Sequence, residues 1–432
     1  MKYKDYLNDN FPRMTTDLAR LISIDSSKSE PKDGMPYGEG PFRALECVMD
    51  IAKELGLDAR SVDGHVAVIE YGSGPKTLGV LTHADVVPAG DKFKVPPFGG
   101  IIKDNRMYGR GTVDNKGPAV ASIYALAALK ATGFVPRDTI RLIIGSDEES
   151  GWADLRYYAQ KEKLPDYGFS PDGDYPVINC EKGVLHLSLK KRLDKSDYAG
   201  VKRISAGHRA NMVPDYAEIE YENGGKLRFD GVSAHGSAPH CGDSALFKLL
   251  EASPSFNIPQ PLGEALSWIR QSFSNTFHGE NVGLNLSDEQ SGRLTLNPGV
   301  LNLSDGLLEL LIDIRYPVSF ARDDIMRRLS PAIEKAGFII ELLNEHDPHY
   351  VAPDHPLVKT LLEVYERETG LKGECLSIGG ATYARAIPDA VTFGPVFPGT
   401  ASLCHQPDEY IELHELKLNA HIIASAMYEL TK

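Results

Sequence analysis

The sequence contains no paired-cysteine motif, no long apolar run and no excess of basic residues. Its five cysteines are odd in number, scattered, and never spaced as C-x-x-C, which favours a reducing compartment over a disulfide framework. No run approaches the roughly 18 apolar residues of a membrane span, and the N-terminus lacks an apolar signal core, so we expect a cytoplasmic protein without a membrane partner. The net charge of −14 repels phosphate backbones and argues against nucleic-acid binding.

Several catalytic signatures are also missing. The sequence has no H-E-x-x-H, no P-loop, no G-x-S-x-G and no G-x-G-x-x-G that follows a strand. These absences argue against zincin-type proteases, P-loop nucleotide enzymes, hydrolases with a serine nucleophile elbow and Rossmann dinucleotide enzymes.

Apolar runs of strand length alternate with helical patterns in the first part of the chain. Strands are predicted at 66–71, 77–82 and 139–145, and helices at 43–56 and 117–131. This alternation is typical of an α/β domain with a mainly parallel sheet, in which ligands gather at the carboxyl ends of the strands.

The pattern changes after residue 182. The elements predicted there are strands at 184–189, 207–212, 217–221 and 307–315, and helices at 244–252 and 323–336. They indicate an inserted α+β domain at 183–351, after which a helix at 353–369 resumes the first domain. We therefore expect a catalytic α/β/α domain formed by residues 1–182 and 352–432, interrupted by this insert.

Acidic side chains and histidines occur where the predicted strands of the first domain end. The candidates are His83, Asp85, Asp114, Glu148, Glu149, Asp172 or Asp174, and the distant His405. Imidazole nitrogens and carboxylate oxygens are ligands that zinc readily accepts, and paired metal ions are a recurrent device of hydrolases. The set predicts a site for two divalent cations with one carboxylate to spare. Spacing alone does not choose between Asp172 and Asp174.

Two local patterns point to metal chemistry. Asp85 lies two residues after His83, where it can accept the second ring N–H and fix the tautomer. The adjacent carboxylates of Glu148 and Glu149 repel each other, and a metal ion on one would leave the other as a proton acceptor. Asp114, in a glycine-flanked loop, is equally compatible with a turn or a helix cap.

Taken together, these motifs resemble those of the M20 metallopeptidase family in order and spacing over nearly the whole chain. The matching segments are H83-A-D85, G-T-V-D114-N-K-G-P, D-E148-E149-S-G, S-P-D172-x-x-Y-P, N211-M-V-P, G-x-S-A-H235 and H405-x-P.

The resemblance implies two Zn²⁺ ions per chain, for which Mn²⁺ or Co²⁺ could substitute. It makes His83 and Asp172 ligands of one ion, Glu149 and His405 ligands of the other, and Asp114 the bridge between them. It also implies that Glu148 is the general base acting on a metal-bridging water, that Asp85 supports His83, and that the peptide after Asp114 is cis.

The same resemblance implies that the insert is a ferredoxin-like, or enlarged, lid. Its His235 would donate to the oxyanion, while Asn211 and Arg315 would hold the substrate backbone and carboxylate. Gly379 and Gly380 would lie along the substrate.

The activity implied is hydrolysis of the peptide bond of dipeptides. An M20-type deacylase or desuccinylase of N-acylated amino acids would share the metal site and differ in not requiring a free α-amino group. A non-catalytic metal-binding relative would keep the ligands and lose Glu148, which is present. The expected partner is a small peptide substrate, and the expected assembly is a monomer or a lid-mediated homodimer.

Overall fold

The computed structural model describes residues 2–401 and 403–432. The chain forms two compact units, of which the second comprises Cys180–Tyr350 and Ser377–Ala381. The first unit contains the remaining described residues on either side of these segments. Within the described ranges, none of the helices combines the length and apolar character needed to cross a bilayer.

The elements up to residue 181 are α1 (Lys2–Ile22), α2 (Glu39–Glu54), β1 (Asp58–Val62), β2 (Val66–Tyr71), β3 (Thr77–His83), β4 (Ile101–Lys103), β5 (Arg106–Tyr108), α3 (Lys116–Ala131), β6 (Thr139–Gly145), α4 (Ala153–Lys161), β7 (Tyr167–Ser170), β8 (Gly173–Asp174) and β9 (Val177–Glu181).

The elements from residue 183 to 350 are β10 (Gly183–Arg192), β11 (Val201–Ala206), β12 (Tyr216–Tyr221), β13 (Lys226–Asp230), α5 (Ala245–Ala252), α6 (Gln260–Phe273), β14 (Ser287–Asp288), β15 (Gly292–Arg293), β16 (Thr295–Ser304), β17 (Leu307–Tyr316), α7 (Arg322–Lys335), β18 (Ile339–His346) and β19 (His349–Tyr350). The chain then continues through α8 (Pro356–Thr369), β20 (Cys375–Ile378), β21 (Ala390–Thr392), β22 (Pro395–Val396), β23 (Tyr410–Glu412) and α9 (Leu413–Thr431).

The main sheet of the first unit is parallel at its centre and antiparallel towards its edges. Its strands follow the order β1-β2-β6-β3-β7-β21-β9. Strands β6, β3, β7 and β21 are parallel neighbours, whereas β1, β2 and β9 pair antiparallel with theirs. The parallel centre brings the carboxyl ends of β3, β6 and β7 to one edge.

Helices cover both faces of this sheet. Because side chains alternate along a strand, Leu78 and Val80 of β3 join the core formed with α1, α2, α3, α8 and α9. Leu81 faces the other way and packs in a smaller core with Tyr158 of α4 and Ile387. Helix α3 is buried over most of its surface, since its many alanines permit close packing. The predicted α/β/α class is confirmed.

The second unit is built on an antiparallel sheet. Its strand order is β13-β12-β11-β16-β17-β10-β18, and every neighbouring pair is antiparallel. Alternate residues of β10, namely Leu185, Leu187 and Leu189, pack in one core with residues of α5, α6 and α7. This unit is therefore α+β, as the sequence pattern predicts.

Several features differ from the sequence-based expectation, among them one wrong strand and one long helix that was not predicted. The strand predicted at 207–212 is wrong, because β11 already ends at Ala206. Gly207 has φ +66°, and a side chain there would lie 1.9 Å from the carbonyl oxygen of Gly299. Helix α1 is absent from the predicted elements, although its buried Leu7 and Leu18 follow a helical period.

Candidate metal centre

The candidate ligands of the first unit converge at the carboxyl edge of its parallel strands. His83 is the last residue of β3, and the Glu148–Ser150 turn follows β6. Asp172 follows β7, and Asp114 lies in the loop before α3. Because these strands are parallel neighbours, residues far apart in sequence meet at one edge.

Asp114 lies between the two histidines. Its Oδ1 is 3.0 Å from Nε2 of His83, and its Oδ2 is 3.1 Å from Nε2 of His405. The same nitrogen of His405 is 3.0 Å from Oε1 of Glu149. One carboxylate therefore presents one oxygen to each imidazole, the arrangement that a bridging ligand requires.

The other candidate carboxylates gather beside His83. Nε2 of His83 is 3.5 Å from Oδ1 of Asp172. Potential ligand atoms of His83, Glu148 and Asp172 lie within 4.8 Å of one another, as do those of His83, Asp114 and Glu149. Asp174, the alternative that spacing left open, is exposed in β8.

Asp85 joins His83 to the Glu148–Glu149 turn. The Nδ1–H of His83 lies 3.0 Å from the main-chain carbonyl of Asp85 and 3.4 Å from its carboxylate. The two carboxylate oxygens accept the backbone N–H groups of Glu148 and Glu149, at 3.2 and 3.1 Å. Asp85 thus orients the imidazole mainly through its backbone, while its side chain holds the acidic turn.

Asn115 connects three ligand-bearing segments, and sequence reasoning did not single it out. Its side-chain amide donates to Oδ1 of Asp172 at 2.9 Å and to the carbonyl of Pro171 at 2.7 Å. Its amide oxygen accepts the backbone N–H of His83 at 3.4 Å. The peptide between Asp114 and Asn115 is cis, as the family resemblance implies. The sequence feature that could have identified Asn115 is its amide side chain directly after the candidate ligand Asp114.

Burial and the charges of neighbouring groups shift the pKa values of the carboxylic acids. Burial, with the neighbouring Asp114 carboxylate, raises the pKa of Glu149 to about 7. Removal from water raises the pKa of Glu148 well above its usual range, and the charge of Asp172 adds to this effect. Burial alone would raise the pKa of Asp114, but hydrogen bonds from His405 and His83 hold it well below its usual range.

The two imidazoles respond in the opposite sense. Burial alone would lower the pKa of His83, but the carboxylates of Asp172 and Asp114 hold it well above its usual value. Burial also opposes charge on His405, yet its bonds to Asp114 and Glu149 raise its pKa to about 11. The cluster of carboxylates therefore strongly favours positive charge at its centre.

The donor set suits a divalent metal ion such as zinc. Ligand atoms on a tetrahedral zinc ion stand about 3.3 Å apart, given bonds of roughly 2.0–2.2 Å. The separations between imidazole nitrogens and the carboxylate oxygens of Asp114, Glu149 and Asp172 here are 3.0, 3.0, 3.1 and 3.5 Å. The carboxylates of Asp114, Glu148, Glu149 and Asp172 together carry negative charge that divalent cations would balance.

The residues predicted to contact substrate lie together in the second unit. The carbonyl of Asn211 accepts the backbone N–H of Gly236 at 2.8 Å, next to His235. A side chain at Gly379 would lie 2.7 Å from Cβ of Ser237, and Gly380 follows in the chain. The structure thus brings these predicted positions into one patch.

Arg315 lies in the same patch, and an internal partner fixes its guanidinium. Its Nε and Nη2 donate to the two carboxylate oxygens of Asp313 at 2.8 and 2.9 Å, and Nη1 donates to the carbonyl of Gly379 at 2.8 Å. Arg315 and Asp313 are both buried. The bidentate edge expected to meet a substrate carboxylate therefore faces Asp313, a partner that sequence spacing did not reveal.

Two adjoining sets of imidazole and carboxylate donors at a sheet edge are typical of metal-dependent hydrolases. Comparison with known proteins agrees with this class. Residues 79–429 match the family described as Peptidase family M20/M25/M40. The chain is also 37% identical over 453 residues to "Putative dipeptidase YtjP" of Bacillus subtilis (strain 168), covering 97% of each protein. The chain therefore belongs to peptidase family M20/M25/M40, and it is a metallohydrolase.

Solved structures share the fold. Human carnosine dipeptidase 1 matches with a TM-score of 0.66 and 16% identity, over 99% of this chain and 98% of that chain. The dipeptidase Dug1p of Saccharomyces cerevisiae matches with a TM-score of 0.65 and 13% identity, over 99% of this chain and 97% of that chain. At these identities, the likeness establishes the fold.

Zinc uptake by protein stripped of metal with a chelator is expected to release protons at pH 7. The pKa of His405, about 11, and that of Glu149, about 7, mean that protons occupy ligand atoms that zinc requires deprotonated. The apparent zinc affinity should therefore rise between pH 6 and pH 8. Calorimetric titration in buffers of different ionisation enthalpy counts these protons. Zinc binding without net proton release would contradict the proposed ligand set.

Proposed function

We propose that the protein is a dinuclear zinc dipeptidase, which cleaves the peptide bond of dipeptides. The observation that carries the proposal is the position of Asp114, whose two oxygens lie 3.0 and 3.1 Å from different histidines. Within the family, we propose that its counterpart is the bacterial dipeptidase PepV. The order of the motifs supports this assignment, and the cysteine pattern supports a cytoplasmic location.

The proposed ligands divide between two ions. His83 and Asp172 would hold one and Glu149 and His405 the other, and Asp114, which presents one oxygen to each histidine, would contribute to both. Bound zinc would lower the pKa of a water molecule towards about 7 and polarise the scissile carbonyl. Asp85 and Asn115 keep the imidazole and carboxylates in place through the hydrogen bonds described above.

Glu148 is the proposed general base. It takes a proton from the attacking water as the oxygen approaches the carbonyl carbon, and it returns that proton to the departing amine nitrogen. Two features support this role: its carboxylate lies in the cluster with His83 and Asp172, and its backbone N–H is held by Asp85.

The second unit supplies the other proposed contacts. Nδ1 of His235 accepts the backbone N–H of Ser237 at 3.2 Å, so the proton of the neutral ring lies on Nε2. An imidazole fixed in this tautomer suits the proposed donation to the oxyanion. Asn211, Gly379 and Gly380 keep their proposed roles in binding substrate. Because Asp313 engages Nε and Nη2 of Arg315, a substrate carboxylate would have to meet the remaining N–H groups of that guanidinium.

The names of the relatives favour small peptides as substrates. YtjP, carnosine dipeptidase 1 and Dug1p are all described as dipeptidases. The alternative is a deacylase or desuccinylase of N-acylated amino acids, which would use the same metal ligands. Its substrate lacks the free α-amino group of a dipeptide.

A substrate panel tests the proposed reaction. The zinc-loaded enzyme should hydrolyse unmodified dipeptides faster than the same dipeptides N-acetylated and faster than tripeptides. Chromatography of the free amino acids and of acetate measures each rate and shows which bond is cleaved. A preference for the N-acetylated compounds, with release of acetate, would instead identify a deacylase.

A matched pair of variants tests the roles of the adjacent glutamates. Glu148→Gln should keep two zinc ions per chain and lower kcat by at least about 100-fold, because it removes the proton acceptor. Glu149→Gln should hold fewer than two zinc ions, because it removes a charged ligand. Zinc content by atomic absorption and kcat on one dipeptide separate these effects. Near-normal turnover in Glu148→Gln would exclude it as the base.

A further inference from the structure

A buried carboxylate lies directly behind the loop that carries Asp114. Glu409 is fully buried, and its Oε1 accepts the backbone N–H groups of Val113 and Asp114 at 2.9 and 3.2 Å. Its Oε2 accepts the backbone N–H of Gly111 at 3.1 Å and a proton of Arg110 Nη1 at 2.7 Å. The Glu409 side chain therefore fixes the backbone of the loop that carries Asp114, the proposed bridging ligand.

Several N–H groups of this loop can point at one carboxylate because of a glycine. Gly111 has φ +92°, a conformation that other residues rarely adopt. A turn of this kind directs successive N–H groups inwards and forms a concave anion site, which Glu409 fills from within the protein. The position of Asp114 thus depends on a charge supplied from a remote part of the chain.

Arg110 extends this contact to the segment that carries His405. Arg110 is 2% exposed, and its Nη1 also donates to the carbonyl of Gln406 at 3.2 Å. Arg110 and Glu409 are 299 positions apart in sequence. Their ion pair joins the Asp114 loop to the residue that follows His405.

A buried ion pair such as that of Arg110 and Glu409 contributes little net stability to a fold. Burying two charges costs several kcal/mol per ion unless the geometry and hydrogen bonds are nearly complete, and apolar residues of similar volume often stabilise equally well. Here the carboxylate holds two loops whose side chains, Asp114 and His405, lie 3.1 Å apart. Precise placement of metal ligands is a benefit that apolar packing alone would not provide.

We propose that Glu409 is a positioning residue for the metal ion held by Asp114, Glu149 and His405. This inference rests on the proposed dinuclear zinc function. Glu409 sets the separation of Asp114 and His405 through the backbone of one loop and through Arg110 to the other. It does not itself contact metal or substrate.

The test compares two glutamates close together in sequence. Glu409→Gln replaces one acceptor oxygen by an NH₂ group, which then faces N–H donors, and it removes the charge opposite Arg110. Glu412→Gln is the matched control, because Glu412 forms an ion pair with Arg106 at 2.7 Å on the neighbouring strand. Full-length protein of each kind is stripped by chelator and titrated with Co²⁺ or Zn²⁺. Visible absorption of bound Co²⁺, zinc per chain and the unfolding temperature are recorded.

We expect wild type and Glu412→Gln to bind two metal ions. Glu409→Gln should bind the ion beside Glu149 and His405 roughly 10- to 100-fold more weakly, with altered Co²⁺ absorption for that ion, and the other ion, which shares only Asp114, with a smaller loss of affinity. If Glu409→Gln is folded and binds both ions as wild type does, the inference is wrong, whatever its unfolding temperature. If wild type itself binds fewer than two ions, the proposed function fails instead.

A second variant covers the case in which Glu409→Gln does not fold. Arg110→Lys keeps a cation beside Glu409 but loses the guanidinium geometry that also reaches Gln406. Its metal ion beside Glu149 and His405 should bind more weakly than in wild type, by a smaller factor than in Glu409→Gln. Wild-type affinity for both ions in folded Arg110→Lys would overturn the inference.

Discussion

Repulsion among four carboxylates at one edge of a sheet is the constraint on which this structure depends. Asp114, Glu148, Glu149 and Asp172 lie within a few ångströms of His83 or His405. Like charges in a partly buried site repel one another, and only positive charge or hydrogen-bond donors between them offset this repulsion. Burial and this repulsion raise the pKa values of both glutamates, and the same carboxylates raise those of both histidines. Divalent metal ions would supply the positive charge that these carboxylates require. The chemistry proposed for this protein depends on such ions.

The surrounding fold holds these groups in place by giving backbone N–H donors to other buried acids. Asp85 accepts the N–H groups of Glu148 and Glu149, and Glu409 accepts those of the Asp114 loop. Loops cannot pair their backbone as strands do, so a carboxylate that gathers several N–H groups replaces the missing ladder. The parallel centre of the sheet brings the ligand-bearing loops to one edge. Hydrogen bonds to these acids then fix the backbone of each loop more precisely.

Much of this arrangement could be predicted from the sequence, because apolar strand patterns show which residues meet at one sheet edge. Contacts that leave no such pattern could not be predicted. His83 and the glutamate pair follow strands whose apolar runs are plain, so their meeting at one edge could be foreseen. Glu409 could not, because its partners are the Arg110 side chain, 299 positions away, and backbone N–H groups of the loop that follows Arg110, and such contacts leave no spacing pattern. Asp313 was hidden likewise, since alternation along β17 predicts its face but not its partner Arg315. The strand expected at 207–212 was wrong because Gly207 turns the backbone, a property of local conformation and not of hydrophobicity.

The most direct test of the account is an anomalous difference map at the zinc absorption edge, from crystals of the zinc-loaded protein. We predict two peaks per chain, one beside His83 and Asp172 and the other beside Glu149 and His405. Asp114 should contact both. A single peak, or a peak bound by Glu148 in place of Glu149, would contradict it.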